Sequence, residues 1–96
     1  MAKASATGRT DLTSKEWDPW IRQVCEGLGV DPAHVDVALV HELTKNIAHR
    51  FARPMAPVGS YIMGIALGAA LARGEGEAAD LLAGFADEIE RTLPAG

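Results

Sequence analysis

Apolar residues recur every three or four positions along most of this chain, which is the spacing of one buried helix face. The first run begins at Thr13-Ser14-Lys15-Glu16, a capping box in which Thr13 and Glu16 bond each other's backbone amides. Gly27 and Gly29 supply the stop. The stripe that we expect to be buried consists of Trp17, Trp20, Ile21, Val24 and Leu28.

Pro19 lies inside this first helix, where a proline removes a backbone donor and crowds the preceding turn. Two structures are compatible with that position. The helix either continues with a distortion or restarts with Asp18 as its cap. We expect the continuous, distorted helix.

A second helix is predicted from Pro32 to Arg53. Asp31 is a favourable N-cap and Pro32 suits the first helical position. Pro54 disfavours the helical conformation in the residue before it, so we expect Arg53 to close the helix. The predicted core stripe of this helix is Val35, Leu39, Leu43, Ile47 and Phe51.

The third helix, from about Pro57 to Arg73, is rich in glycine and alanine and apolar on nearly all sides. Its small residues Ser60, Gly64, Gly68 and Ala72 recur every four positions. Such a flat face predicts a neighbouring backbone within about 8 Å and a central place in the fold. A fourth helix, from about Glu77 to Leu93, has the core stripe Ala78, Leu82, Phe85, Ile89 and Leu93.

No segment alternates apolar and polar residues as a strand does. The sequence therefore predicts an all-α fold, with one compact four-helix domain over residues 12–93 and a central third helix. Residues 1–11 read as a flexible tail without the apolar stretch of a secretory signal. The longest apolar run, Tyr61–Ala72, is shorter than the roughly 20 residues that span a bilayer. We expect a cytoplasmic protein with no membrane partner.

Composition and charge narrow the classes of function. The 96 residues are 48% hydrophobic and carry nine Lys and Arg against thirteen Asp and Glu, a net charge of −4. That balance, with Arg73 the one cation of the third helix, argues against a nucleic-acid partner. From Glu75 to Gly96 there are six acidic residues and one basic residue, Arg91. Such a run is usually a solvated surface, although it also suits a basic partner.

Patterns for catalysis and metal binding are incomplete. His41-Glu42-Leu43-Thr44-Lys45 begins like a zinc-binding HExxH motif but ends in Lys45, where the second histidine ligand belongs. His41 and His49 would lie roughly 12 Å apart along a helix, too far to share a zinc ion. Cys25 is the single cysteine of the sequence, so no internal disulfide can form, and no neighbouring residue in the sequence is a base that would activate its thiol. We predict no catalytic residue, no metal and no cofactor.

One region combines cations with the start of a helix, and we select it as a candidate anion-binding or partner-binding site. A guanidinium beside free helical amides suits a phosphate or carboxylate. The competing interpretation is structural, because cations in a last helical turn stabilise its negative end without any ligand. The candidate residues are His49, Arg50, Arg53, Pro54 and Pro57.

The same region resembles a known family. The residues that carry the resemblance are Ala48-His49, Ala52-Arg53-Pro54, Ala56-Pro57, Tyr61-Ile62, Gly64 and Gly68, with Trp17 and Leu28-Gly29 in the first helix. Together they resemble a small bacterial family of unknown function over Trp17 to about Leu93. Its members occur alone or fused to proteins of molybdopterin-guanine dinucleotide biosynthesis, so the resemblance implies a role beside molybdenum-cofactor maturation.

Two functions follow as hypotheses. The first is a non-catalytic accessory or binding module for a protein partner in molybdenum-cofactor maturation or in a molybdoenzyme. The alternative is a structural protein–protein interaction domain, or a homodimer, with no small-molecule ligand. The apolar surplus of the third helix and the early tryptophans support the alternative.

Overall fold

The computed structural model describes residues 14–95, and helices dominate this part of the chain. The helix α1 spans Ser14–Leu28, α2 spans Val37–Arg50, α3 spans Ala56–Ala72 and α4 spans Ala78–Arg91. Two short 3₁₀-helices, Pro32–His34 and Arg53–Met55, precede α2 and α3. No strand forms within residues 14–95, so the all-α prediction is confirmed. The tail predicted over residues 1–11 and the cap Thr13 lie outside the described residues.

The chain forms two compact units that divide between Val35 and Asp36. The first unit contains α1 and the 3₁₀-helix Pro32–His34. The second contains α2, the 3₁₀-helix Arg53–Met55, α3 and α4. Each pair among α2, α3 and α4 is in contact, so these three helices share one core.

The helix α1 is continuous through Pro19, as expected. Gly27 lies inside α1, so the prediction that it helps to end the helix is wrong. Gly29 follows the last helical residue, and its φ of 71° is left-handed. There the Val30 N–H donates to the Cys25 carbonyl at 2.9 Å, which is the Schellman arrangement. The side chain of Cys25 is buried.

The apolar stripe of α1 is buried only in part. Trp17 and Ile21 are half-buried, whereas Trp20 is 65% exposed, Leu28 is 73% exposed and Val24 is exposed as well. Among the described residues of the first unit, the element that contacts α1 is the 3₁₀-helix Pro32–His34. That element is too short to cover the whole stripe.

The predicted start of the second helix is wrong by five residues. Asp31 accepts a hydrogen bond from the Ala33 N–H at 2.9 Å and begins only the 3₁₀-helix. The cap of α2 is Asp36, whose carboxylate accepts from the Leu39 N–H at 3.0 Å. A helix starting at Pro32 would place Asp36 in its interior, where aspartate is much less favourable than at the N-cap.

The core of the second unit lies where α2, α3 and α4 meet. Its buried members are Leu43, Ile47, Ala56, Met63, Leu67 and Leu82. The predicted stripe of α4 packs there in full, since Leu82 is buried and Ala78, Phe85, Ile89 and Leu93 surround the core. The stripe predicted for the second helix fails at both ends, because Val35 and Phe51 are exposed.

The close helix contact of α3 occurs at a different glycine from those predicted. A Cβ atom built on Gly64 or Gly68 would meet nothing within 4 Å, and both glycines are exposed. A Cβ atom on Gly59 would overlap Cδ1 of the buried Ile47. The expectation that Gly64 and Gly68 face a neighbouring backbone is therefore wrong. Gly59 is the glycine of α3 that lies directly against the Ile47 side chain of α2.

Candidate functional site

The candidate site lies where α2 turns into α3. The helix α2 ends at Arg50, and both the Phe51 and the Ala52 N–H groups donate to the Ile47 carbonyl. Ala52 is extended, and the next three residues form the 3₁₀-helix that leads into α3. Arg53 therefore opens the 3₁₀-helix and does not close the second helix, so that prediction is wrong. The extended residue is Ala52, which separates α2 from the 3₁₀-helix one residue earlier than expected.

Arg50 is held in a structural contact. Its Nε atom donates to the Pro94 carbonyl at 2.9 Å, and an Nη atom donates to the Leu93 carbonyl at 3.3 Å. One turn earlier, the Asn46 amide donates to a Glu90 carboxylate oxygen at 2.7 Å. These bonds join the end of α2 to the end of α4, so the Arg50 guanidinium is already engaged.

Arg53 and His49 are placed differently from Arg50. Both side chains are exposed, and within residues 14–95 neither makes a hydrogen bond or an ion pair. The Arg53 backbone carbonyl accepts from the Ala56 N–H, the first residue of α3. Arg53 thus lies three residues before the N-terminus of α3, which is the positive end of the helix dipole. An anion bound at this N-terminus would be close to the Arg53 residue.

The two candidate prolines shape the turn. Pro54 lies in the first positions of the 3₁₀-helix and Pro57 in the first positions of α3, and both are exposed. Proline suits such positions because its fixed φ matches a helical start and its missing N–H has no partner there. The two prolines restrict the backbone conformation of the turn, and they add rigid apolar surface beside Arg53.

An exposed apolar surface continues from this turn along α3. We call it the α3 stripe and define it by Val58, Tyr61, Ile62 and Ile65. Tyr61 is 71% exposed and Ile65 is 57% exposed. These residues follow i, i+3, i+4 and i+7 spacing, so they share one face. Phe51 and Met55 are exposed at the turn and extend the apolar character.

A depression between α3 and α4 borders the stripe. Its volume is about 260 Å³, and Gly59 and Ile62 of α3 line it together with Ile89 of α4 and Thr92, which follows α4. Glu88 stands at the same depression and pairs with Arg91 at 3.3 Å. In protein interfaces, an anchoring side chain of one partner often fills a small cavity beside an apolar face of the other.

The apolar surplus of α3 is visible in the sequence, where it supports both a central place in the fold and an interaction surface. The sequence does not show which of its apolar residues are exposed. Within the second unit, α2 and α4 cover one side of α3. Contiguous exposed apolar surfaces are rare on monomeric proteins.

Metal chemistry has no support in this region. No group of three His, Cys, Asp or Glu side chains within residues 14–95 is placed to hold a metal ion. The arrangement offers one exposed guanidinium, one exposed imidazole and a large apolar face. Such a surface can bind, but it presents no nucleophile with an adjacent base.

Comparison with known proteins assigns the family. Residues 12–95 match a family model described as Domain of unknown function (DUF6457). The chain belongs to DUF6457. Searches of curated proteins and of solved structures returned no match. The DUF6457 match spans both units and therefore includes α1, the turn and the α3 stripe.

Proposed function

We propose that this DUF6457 domain is a non-catalytic accessory module that binds a protein partner. The α3 stripe is the observation that carries this proposal. Tyrosine, phenylalanine, methionine and arginine are enriched in protein interfaces. The stripe and its adjoining turn combine Tyr61, Phe51, Met55 and Arg53 on exposed surface.

The partner that we propose is an enzyme that makes or uses molybdopterin-guanine dinucleotide. This part of the proposal is supported by the resemblance of the turn and the glycine-bearing helix to domains fused to such proteins. His49, Arg53, Pro54 and Pro57 form the proposed polar edge of the contact, where an anionic group of the partner or its cofactor is received. Arg50 supports that edge by fixing the end of α2.

A direct binding measurement tests both parts. The immobilised chain is exposed to the purified molybdopterin-guanine dinucleotide synthase of the same host, and binding is followed by interferometry. Ile65→Lys is expected to weaken binding by at least about tenfold, because a charge is placed in the apolar α3 stripe. The matched control Ala79→Lys adds the same charge at an exposed position of α4. Its binding should stay within about twofold of wild type.

Three outcomes of this measurement count against the proposal. Failure of the wild-type chain to bind the synthase removes the molybdenum-cofactor part. Equal loss in Ile65→Lys and Ala79→Lys shows that the α3 stripe is not the binding surface. Undiminished binding by Ile65→Lys has the same meaning.

A homodimer is the second candidate function, and the absence of charged side chains on α3 favours it. Between Ala56 and Ala72 the helix carries no charged side chain. Two copies of the α3 stripe can therefore meet without like-charge repulsion. Sedimentation of the purified chain as a dimer, with Ile65→Lys as a monomer, would establish this alternative over a foreign partner.

A lipid surface is a further outcome to test, because the segment Arg53–Ala72 is long and apolar enough to cross a membrane. Only 22% of its most apolar window is buried. Core helices of soluble proteins satisfy the same criterion, and a partner protein covers such a face equally well. Flotation with vesicles of neutral and anionic phospholipid distinguishes a lipid surface from a protein partner. We expect the chain not to bind the vesicles. Co-flotation lost in Ile65→Lys would assign the stripe to lipid.

The proposed anion contact has its own test. Thermal melts are recorded with inorganic phosphate and with a molybdopterin nucleotide, on wild type, Arg53→Ala and the control Arg22→Ala. Arg22 is an exposed cation on α1. We expect the nucleotide to raise the melting temperature of wild type and Arg22→Ala but not of Arg53→Ala. No shift in the wild type would eliminate the anion contact while leaving the stripe unaffected.

A further inference from the structure

A second concave surface lies between α2 and α4. It is a groove of about 470 Å³. Leu39 and Leu43 of α2 and Ala83 and Ala86 of α4 form its floor. The short alanine side chains leave space between the helices, and this volume accepts a few apolar side chains of a ligand.

Carboxylates surround this apolar floor. Asp36 and Glu42 stand on the α2 side, and Asp87 and Glu90 stand on the α4 side. Within the described residues, the groove lining contains no lysine or arginine. The groove therefore combines an apolar floor with an anionic rim.

Contacts within the domain compensate this charge only in part. Glu42 pairs with Lys45 at 3.3 Å, where both side chains are more than half exposed. Glu90 accepts from the neutral Asn46 amide, and Asp36 accepts from the Leu39 N–H. Lys45 is the one cation paired with a rim carboxylate in this part of the chain. Glu90 also stands in the last turn of α4, where the helix dipole disfavours negative charge.

We propose that the groove between α2 and α4 binds a basic amphipathic helical segment of a protein partner. Its apolar side chains, spaced by three or four residues, would lie on the alanine and leucine floor. Its lysine or arginine side chains would meet the four carboxylates of the rim. The groove shares no residue with the α3 stripe, so this proposal does not depend on the proposed function.

The apolar floor separates this occupant from simpler cations. A polyamine satisfies the carboxylates but leaves the floor exposed to water. A helix with one apolar face and one basic face satisfies both, which is the complementarity that the groove presents.

The test uses the full chain and a defined probe. The probe is a fluorescein-labelled synthetic helical peptide with leucine on one face and lysine on the other, and its anisotropy reports binding. A peptide with glutamate in place of lysine tests charge, and spermine as a competitor tests the need for the apolar face. The groove variant is Glu42→Gln/Asp87→Asn. Its matched control is Asp80→Asn/Glu88→Gln, which removes the same charge from exposed acids outside the groove.

We expect the lysine peptide to bind and the glutamate peptide not to bind. The groove variant should weaken binding roughly three- to tenfold at low salt, and the control should stay within about twofold of wild type. Ala83→Gln fills the floor without changing charge, and it should weaken binding also at physiological salt, where surface charges are screened. Circular dichroism melts of all variants establish that each is folded.

Four results would overturn the proposal. Equal weakening in the groove variant and its control would indicate diffuse attraction to an acidic chain. Full binding by Ala83→Gln, or displacement by spermine at the concentration of the peptide, would show that the floor takes no part. Binding of the glutamate peptide would remove the role of the rim.

Discussion

The two faces of α3 have the same kind of side chains and opposite surroundings. Met63 and Leu67 are buried in the core with α2 and α4, whereas Tyr61 and Ile65 on the other face are exposed. Burial is therefore decided by which helices are present to cover a face, and apolar character alone does not determine it. We infer that the buried face supplies stability and the α3 stripe supplies recognition.

The largest expected effect comes from truncating one leucine or isoleucine on each face. Leu67→Ala should cost about 2–5 kcal/mol of unfolding free energy, because it removes buried methyl groups and leaves a cavity. Ile65→Ala should change stability by no more than about 0.5 kcal/mol, since the side chain is already mostly solvated. Urea unfolding followed by circular dichroism measures both. Similar losses in the two variants would abolish the distinction between the faces.

Two glycines of α3 offer a sharper contrast with a smaller effect. Gly59→Ala should cost about 1–3 kcal/mol, because the new methyl group overlaps the buried Ile47. Gly64→Ala has open space and should gain up to about 1 kcal/mol from helix propensity. Melting temperatures of the two variants should move in opposite directions. A stabilising Gly59→Ala would show that α2 and α3 do not approach as closely as described.

The two arginines at the turn, Arg50 and Arg53, should also differ in their contribution to stability. Arg50→Ala should cost about 1–2 kcal/mol, because two hydrogen bonds to the end of α4 are lost. Arg53→Ala should change stability by less than about 0.5 kcal/mol, since the exposed side chain has no partner within residues 14–95. Denaturant midpoints measure the pair, and the reverse order would assign the structural role to Arg53.

The smallest expected effect lies in the turn after α3. The hydrogen bond from Arg73 holds the pKa of the Glu75 carboxyl below its ordinary value. A lowered folded pKa gives a contribution to stability that exists above the unfolded pKa and disappears as the pH falls through the folded pKa. NMR titration should show the Glu75 pKa rising toward its ordinary value in Arg73→Gln. An unchanged pKa in that variant would remove the pair.

The sequence predicts the helices well, because their signals are local. Pro19 within α1, Gly29 at its end and the stripe of α4 behave as their spacing indicates. The start of α2 was misassigned because Asp31 and Asp36 are both good caps, and only tertiary structure selects between them. Helix boundaries at the turn shifted for a related reason, since Ala52 and not Arg53 becomes extended.

The candidate site was less predictable, because exposure is a property of the assembled helices. Sequence alone selected the cations of the turn but could not separate Arg50, which bonds α4 more than 40 positions away, from the exposed Arg53. The small residues Gly64 and Gly68 suggested a close helix contact, yet they lie on the open side of α3. A periodic pattern identifies a face but does not identify what covers it.

Carbene footprinting of the isolated chain tests the central claim most directly. The chain is labelled at a concentration where sedimentation shows a monomer, and modification of each α3 side chain is measured by mass spectrometry. We predict strong labelling of Tyr61, Ile62 and Ile65 and little labelling of Met63 and Leu67. Equal protection of both faces in the monomer would contradict the account, because the α3 stripe would then be part of the core and unavailable to a partner.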